Sequence, residues 1–270
     1  MRNLQALFLL LSVLFVFNQS IPSASQEIEE ELSNNEEVPK LSQRPVYLQE
    51  DDLCKTGNKQ SPIDINPLVT HVKPSLGPLK TFYHPAVAIL QNSGHDIKVN
   101  WTNGAGHLKI KYKTYFLAQC HWHTPAEHTL SNSSFPLELH MVHISSDGSI
   151  AVIGILYEYG HPDPFISTLE KYIKKVRWNQ EVEIGGVVDP PLCERNPTYF
   201  RYSGSLTTSP CTEGVTWTLL HKVRTASKKQ VELLRDALNG KDNSRPVQPI
   251  NGRKIYLYDP HSDSNGHASS

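Results

Sequence analysis

Short alternating or continuously apolar runs, bounded by Gly, Pro, Asn and Asp, dominate the chain between residues 59 and 258. Such runs are typical of β-strands, because successive side chains of a strand point to opposite faces of its sheet. The pattern predicts strands over residues 87–90, 97–101, 108–112, 115–122, 138–144, 150–159 and 215–220. No linker or repeat interrupts this region, so we expect one domain.

Two segments have helical patterns instead. Residues 165–176 carry apolar side chains at a spacing near 3.6. Residues 227–238 begin with Ser227 and Gln230, the pair that forms a capping box, and Gly240 follows the predicted end. The patterns together predict a mainly β domain with short helices at its periphery, where the arrangement is α+β.

The first 25 residues have the order of a secretory signal peptide. Arg2 supplies positive charge, residues 6–17 form an apolar run, and residues 23–25 are small enough for cleavage. An uncleaved anchor is the alternative, although the run is short for a membrane helix. We expect entry into the secretory pathway and an extracellular protein, with no membrane span after cleavage; a plastid is the alternative destination in a plant.

Charge is nearly balanced, with 26 Lys and Arg against 27 Asp and Glu, which gives no overall electrostatic basis for binding nucleic acid. No partner protein is indicated. Residues 26–53 are acidic and poor in large apolar side chains, so they are predicted to be disordered. Residues 259–270 are polar and predicted to be a mobile tail.

An oxidising compartment permits disulfides and glycosylation. The four cysteines allow three full pairings, and their spacing does not choose between them. They are Cys54, Cys120, Cys193 and Cys211. Sequons begin at Asn100 and Asn132, and the second lies in a polar, turn-like stretch that suits a glycan better.

The candidate chemistry begins at two histidines on one predicted strand. His121 and His123 are two residues apart, so they project from the same face. His140 can supply a third nitrogen from a neighbouring strand. Three imidazoles with a fourth position open are typical of a catalytic zinc site.

A pair of nearby histidines alone is a weak indication, because most such pairs are ordinary half-buried or surface residues. The setting strengthens it: Gln119 shares a strand face with His121, and Glu138 shares one with His140. Each can accept a hydrogen bond from the ring N–H that points away from a metal. His128 and His143 are interpreted as structural core histidines, and His95 from spacing alone as a solvated loop residue.

Six motifs, occurring in the same order along the chain, make the sequence similar to the α-class carbonic anhydrases. The residues of these motifs most resemble those of the secreted plant type. They are Gln60–Asp64, Ser93–His95, Gln119–His123, Glu127–Thr129, Glu138–His143 and Gly204–Cys211, and residues 243–249 match the family's closing segment. The resemblance covers residues 54–258. It implies a central twisted, mostly antiparallel sheet and a zinc ion held by the three histidines.

The resemblance also implies roles around that zinc. Thr207 matches a gatekeeper that donates its hydroxyl hydrogen to Glu127, Thr208 lies in the cavity wall, and His95 matches the proton shuttle. The residues matching the apolar wall for carbon dioxide are Val142, Val152, Leu206 and Trp217. Cys54 and Cys211 match the disulfide of secreted members, which leaves Cys120 and Cys193 free.

The implied activity is the reversible hydration of carbon dioxide to bicarbonate and a proton by a zinc-bound hydroxide, with sulfonamides as expected inhibitors.

Two features depart from the family pattern: an aromatic, glycine-containing segment expected before Cys54 is not found, and Ser209 stands where most members have proline. The alternatives are a storage or binding protein that keeps the fold without useful turnover, and another zinc hydrolase such as an esterase. A metallopeptidase is disfavoured, since no His-Glu-x-x-His motif occurs.

Overall fold

The computed structural model describes residues 53–191 and 195–262. The predicted signal peptide, all but the last residue of the acidic segment, Cys193 and residues 263–270 lie outside the described residues. At the start of the predicted tail, residues 259–262 form a turn in which the Ser262 amide donates to the Asp259 carbonyl at 3.3 Å. In the described part of the chain, no helix is both long enough and apolar enough to span a membrane.

Within the described residues, strands make up most of the regular structure, and three α-helices accompany them. The strands are β1 (Asp64–Ile65), β2 (His71–Val72), β3 (Lys80–Tyr83), β4 (Ala86–Asn92), β5 (Ile97–Trp101), β6 (Gly106–Ile110), β7 (Lys113–His123), β8 (Thr129–Leu130), β9 (Leu137–Ile144), β10 (Ile150–Tyr159), β11 (Gln180–Val188), β12 (Tyr199–Ser205), β13 (Glu213–Leu220), β14 (Arg224–Ala226) and β15 (Tyr256–Tyr258). The helices are α1 (Leu53–Thr56), α2 (Pro164–Ile173) and α3 (Lys228–Ala237). Single 3₁₀ turns occur at Pro67–Val69 and Pro74–Leu76.

One large mixed sheet organises the domain. Its strands follow the order β11-β4-β5-β7-β9-β10-β13-β12-β15-β2, with β3 and β6 attached through β7, and β14 beside β10. Most neighbours are antiparallel, whereas β10 runs parallel to β13 and β14, and β15 runs parallel to β2. The predicted fold class, a mainly β domain around a mostly antiparallel sheet, is confirmed.

All seven predicted strands form, and their observed ends lie within two residues of the predicted ones. The longer strands missing from the prediction are β11 and β12. In β11 the register shifts between Glu183 and Val187, around Gly185 and Gly186, which breaks the alternation on which prediction relies. In β12 the first four residues are all buried, because both faces of that strand are covered.

The two longer helices are joined by a buried glutamine. Ser227 and Gln230 form the predicted capping box at the start of α3. The Gln230 side chain also reaches the residue that caps α2: its Oε1 accepts from the Asp163 amide at 2.8 Å, and its Nε2 donates to the Asp163 carbonyl at 2.9 Å. One side chain thereby satisfies backbone groups at the start of both helices.

The central strands bury side chains on both faces, and the two faces carry different chemistry. Cys120 and Trp122 of β7 belong to the larger apolar cluster, which α2 and α3 cover. Val142 of β9 and Val152 of β10 belong to a second cluster on the other face. Because neighbouring residues alternate, the predicted zinc-binding histidines of β7 lie on the face opposite Cys120.

Cys54 and Cys211 form a disulfide, as the resemblance implies. Their sequence separation of 157 residues joins the beginning of the described domain to the connection between β12 and β13. Cys120 is buried and free.

Removing this disulfide should destabilise the domain, because the bond closes a long loop in the unfolded chain. We expect Cys54→Ser to lower the free energy of unfolding by about 2–5 kcal/mol, measured by denaturant unfolding. Reductant should shift the wild-type transition to the same midpoint and leave the variant unchanged. Identical midpoints for oxidised wild type and the variant would contradict a stabilising role.

His143 is a core residue, as predicted. Its Nε2 accepts a hydrogen bond from the Tyr83 hydroxyl at 2.7 Å, and its Nδ1 donates to the Ala151 carbonyl at 3.3 Å. Burial lowers the pKa of His143 to about 4. The folded protein therefore favours the neutral ring. The contribution of His143 to the free energy of unfolding is fully present above the pKa of a histidine in the unfolded chain, which is about 6.5.

As the pH falls from about 6.5 to 4, this contribution to stability should be lost, up to about 3 kcal/mol for a shift of this size. His143→Gln keeps a donor and an acceptor but does not titrate. Its free energy of unfolding should therefore change less between these pH values than that of the wild type. Denaturant unfolding at both pH values measures the difference, and equal changes in the two proteins would assign the effect to other groups.

Candidate metal centre

Three histidines meet on the inner face of β7 and β9. His121 and His140 are direct cross-strand neighbours, and His123 follows two residues after His121. One ring nitrogen from each lies within 4.8 Å of the others, and all three side chains are buried. The structure thus brings together the three predicted metal ligands.

Each ring uses one nitrogen to hold its orientation. His121 Nδ1 bonds to Gln119 Oε1 at 2.8 Å, and His140 Nε2 bonds to Glu138 Oε1 at 2.8 Å, so both predicted supporting residues are in place. His123 Nδ1 bonds to the Asn243 carbonyl at 3.0 Å. These acceptors require N–H at those positions, which leaves the other nitrogen of each ring with a lone pair.

The remaining nitrogens fit a zinc ion. His123 Nε2 is buried and has no hydrogen-bond partner within the described residues, a costly state that a metal would relieve. Burial lowers the pKa of His121 and of His140, which favours the neutral rings that bind metal. Three neutral nitrogens without thiolates correspond to a catalytic rather than a structural zinc site.

Glu138 is the centre of the hydrogen-bond network behind the histidines. This residue is 0 % exposed. Its Oε1 accepts from His140 and from His128 Nδ1, the latter at 2.7 Å. Its Oε2 accepts from the amides of Glu127 and His128 at 2.9 and 2.8 Å. Burial opposes ionisation, but His128 and His140 outweigh it and hold the pKa of Glu138 well below its usual value.

His128 extends this network away from the histidines. Its Nε2 accepts from the Tyr202 hydroxyl at 2.7 Å, and that hydroxyl lies 2.8 Å from Ser61 Oγ. The structural interpretation of His128 is therefore confirmed. Although His128, Glu138 and His140 are close enough to share a metal, their facing atoms are already paired with one another.

The segment after α3 supports the centre in a way that sequence reasoning did not identify. Asn243 Oδ1 accepts from the Thr124 amide, and its Nδ2 donates to the carbonyls of Trp122 and His95. Its own carbonyl holds His123. In the sequence, residues 243–246 are recognised only by their similarity to the family. The residues that Asn243 contacts lie more than 100 positions away in the chain, so local patterns do not reveal its role.

The expected hydrogen bond between Thr207 and Glu127 is not present among the described residues. Glu127 Oε1 accepts from the Arg245 amide at 2.8 Å, while its buried Oε2 lies 3.9 Å from His140 Nδ1. That Oε2 has no hydrogen-bond partner in the part of the chain that the structure describes, so the predicted bond from Thr207 is not formed there. Thr207 is half-buried in the connection that follows β12.

The four residues predicted to form an apolar wall do lie together. Val142, Val152 and Trp217 belong to one buried cluster, and Leu206 packs against it. The ring of Trp217 lies 4.8 Å from that of His140, between centroids. The apolar cluster therefore borders the histidines directly.

The remaining predicted residues lie in connections. His95 is exposed in the turn between β4 and β5, as its loop interpretation predicts, and it is tied to the centre through Asn243. Thr208 is half-buried beside Thr207. Among the described residues, neither the His95 nor the Thr208 side chain makes a contact that bears on its predicted role.

The fold and this centre define a β-sheet protein with a buried three-histidine cluster beside an apolar wall. A profile of eukaryotic-type carbonic anhydrases matches residues 47–259. The chain belongs to this family.

The similar proteins include alpha carbonic anhydrases and dioscorins. Alpha carbonic anhydrase 7 of Arabidopsis thaliana is 40 % identical over 260 residues, 94 % of each chain. A crystal structure of dioscorin complexed with ascorbate aligns with a TM-score of 0.74 and 41 % identity, covering 78 % of this chain and 90 % of that one. The α-carbonic anhydrase of Thermovibrio ammonificans, solved with sulfanilamide, has a TM-score of 0.71 and 38 % identity, covering 77 % and 90 %.

Glu138 should govern metal affinity through His140. We expect Glu138→Gln to weaken zinc binding by about 10–100-fold, because the amide no longer supplies a charged acceptor to the ligand ring. Titration against a competing chelator measures this without reference to activity. Glu232→Gln, on the exposed face of α3, is the matched control. Unchanged zinc affinity in a folded Glu138→Gln protein would contradict the assigned role.

Proposed function

We propose that this chain is a zinc-dependent carbonic anhydrase that catalyses the reversible hydration of carbon dioxide to bicarbonate and a proton. The observation that carries the proposal is the buried set of three inward-facing histidine nitrogens against an apolar cluster. His121, His123 and His140 would hold the zinc. When bound, a zinc ion with neutral ligands activates water as a nucleophile at neutral pH, for which carbonic anhydrases are the standard example.

The apolar cluster supplies a site for an uncharged substrate. Carbon dioxide has no net charge, so a surface formed by Val142, Val152, Leu206 and Trp217 can hold it without displacing tightly bound water. Thr208 is proposed to line the cavity wall beside this surface. Bicarbonate is charged and is poorly held by the same surface, which favours release of the product.

Glu127 and Thr207 are proposed to align the reacting oxygen. Glu127 is fixed through the Arg245 amide, and its free Oε2 requires a donor. The resemblance gives the Thr207 hydroxyl this role, and we propose that it turns to Glu127 when the site is occupied, since the two are not hydrogen-bonded in the described structure. Once its hydrogen points to Glu127, the Thr207 oxygen can only accept from the reacting group, which fixes the direction of that hydrogen bond.

His95 is proposed to carry the proton to solvent. Its exposed side chain lies in a turn that Asn243 ties to the strand carrying the ligands. Imidazole is suited to this because its ordinary pKa allows it to gain and lose a proton near neutral pH.

The second candidate is a binding or storage protein of the same fold with little turnover. The similarity to dioscorin favours this alternative, whereas the complete histidine set and its supporting acceptors favour the enzyme. An activated water would also attack activated esters, so weak esterase activity accompanies the main proposal. Zinc content does not separate the two candidates; turnover does.

A secreted location also remains part of the proposal, with extracellular space as the destination. Among the two sequons, Asn132 is exposed in a turn, whereas Asn100 lies in β5 with its amide bonded to Gln91. Asn132 is therefore the proposed glycan acceptor. A glycan at Asn100 would replace that hydrogen bond within a strand.

Stopped-flow measurement of carbon dioxide hydration tests the proposed function. We expect zinc-loaded protein to be active and sensitive to a sulfonamide, and His121→Ala to lose at least about 100-fold in rate, because metal activation contributes several kcal/mol to the barrier. A folded wild-type protein with one equivalent of zinc and no turnover would reject the enzyme and favour the binding protein.

A further inference from the structure

A buried arginine lies on the sheet face opposite the histidines. In β12, Tyr202 stacks on Trp217 beside the metal centre. Arg201 is the preceding residue of the same strand, so its side chain projects from the other face. Its cross-strand neighbours are Thr218 on β13 and Tyr256 on β15.

Arg201 has no counter-charge within the described residues. The residue is 9 % exposed, and its Nε has no hydrogen-bond partner there. Its guanidinium carbon lies 5.0 Å from the centre of the Tyr199 ring. Burial lowers the pKa of Arg201, and the groups that oppose this effect are Tyr199 and Tyr115 rather than a carboxylate. The neighbouring Thr218 hydroxyl is also buried and has no hydrogen-bond partner among the described residues.

An unpaired buried charge is costly, and proteins rarely retain one without a function or a bound counter-ion. A tyrosine face offsets only a small part of that cost. Arginine presents a planar fork of donors that matches the oxygens of carboxylate and phosphate groups. The chemistry of Arg201 therefore points to an oxyanion.

The space in front of Arg201 is a cleft of about 1470 Å³ with a cationic rim. Lys59, Lys111 and Lys254 line it as exposed residues, and Lys73 lies with its ammonium 4.2 Å from the centre of the Tyr256 ring. Asp147 is the acidic residue that lines it, and Lys113 already pairs with that carboxylate at 2.6 Å. Clustered charge of one sign in a concave surface concentrates ligands of the opposite sign.

We propose that this cleft binds a multiply charged oxyanion, with one carboxylate or phosphate group on Arg201 and further groups on the rim lysines. The size of the cleft favours a small polyacid over a single inorganic ion. Since the metal centre lies on the opposite face, the proposal does not depend on the proposed catalytic activity.

Isothermal titration of the full chain at low salt, with tripolyphosphate and with citrate, tests this site and distinguishes phosphate from carboxylate ligands. We expect saturable binding of at least one probe that weakens with added salt, and none of neutral glycerol. Arg201→Met should weaken binding at least tenfold, and Lys254→Gln a fewfold. Lys229→Gln, an exposed lysine on α3, should bind as the wild type does.

Further variants separate the site from folding and from the metal centre. Without a ligand, Arg201→Met should be at least as stable as the wild type, because it removes an unpaired buried charge. If that variant does not fold, Arg201→Lys keeps the charge but loses the fork, and should bind severalfold more weakly.

His121→Ala disrupts the metal site and should bind both probes normally. Absence of saturable binding in the wild type, full affinity in Arg201→Met, or loss of binding in His121→Ala would each overturn the proposal.

Discussion

The buried carboxylate of Glu138 is the interaction on which the centre depends. Its two oxygens accept four hydrogen bonds, from His128, His140 and two backbone amides, with no exposed surface. Such a group is tolerated in an apolar interior only when its acceptors are satisfied. Because one of those donors is a ligand histidine, the same bonds that keep Glu138 charged also orient His140 and favour the tautomer that leaves its Nδ1 free.

The large sheet makes this arrangement possible because its central strands are covered on both faces. One face buries apolar residues beneath α2 and α3, and the other carries the histidines and the apolar cluster around Trp217. In β12 the same alternation sends Tyr202 toward the metal centre and Arg201 toward the cationic cleft. One sheet thus presents two chemically different candidate sites.

Membership of the carbonic anhydrase family fixes the fold more firmly than the activity. Relatives of similar identity include carbonic anhydrases and dioscorin, so sequence similarity alone does not decide whether this chain turns over carbon dioxide. The supports of the three histidines are more informative: Gln119, Glu138 and the Asn243 carbonyl each hold one ring. With all three supports present, each ring has the orientation that a metal ligand needs.

The sequence by itself determined seven of the strands, the two longer helices, the three histidines and the two side chains that hold His121 and His140. Each of these follows from local periodicity or from residues two apart on a strand. Only the tertiary structure decided the pairing of Asn243 with His123, the unpartnered oxygen of Glu127 and the isolation of Arg201. These features depend on which distant segments meet, and local patterns of hydrophobic and polar residues carry no information about contacts more than 100 residues apart.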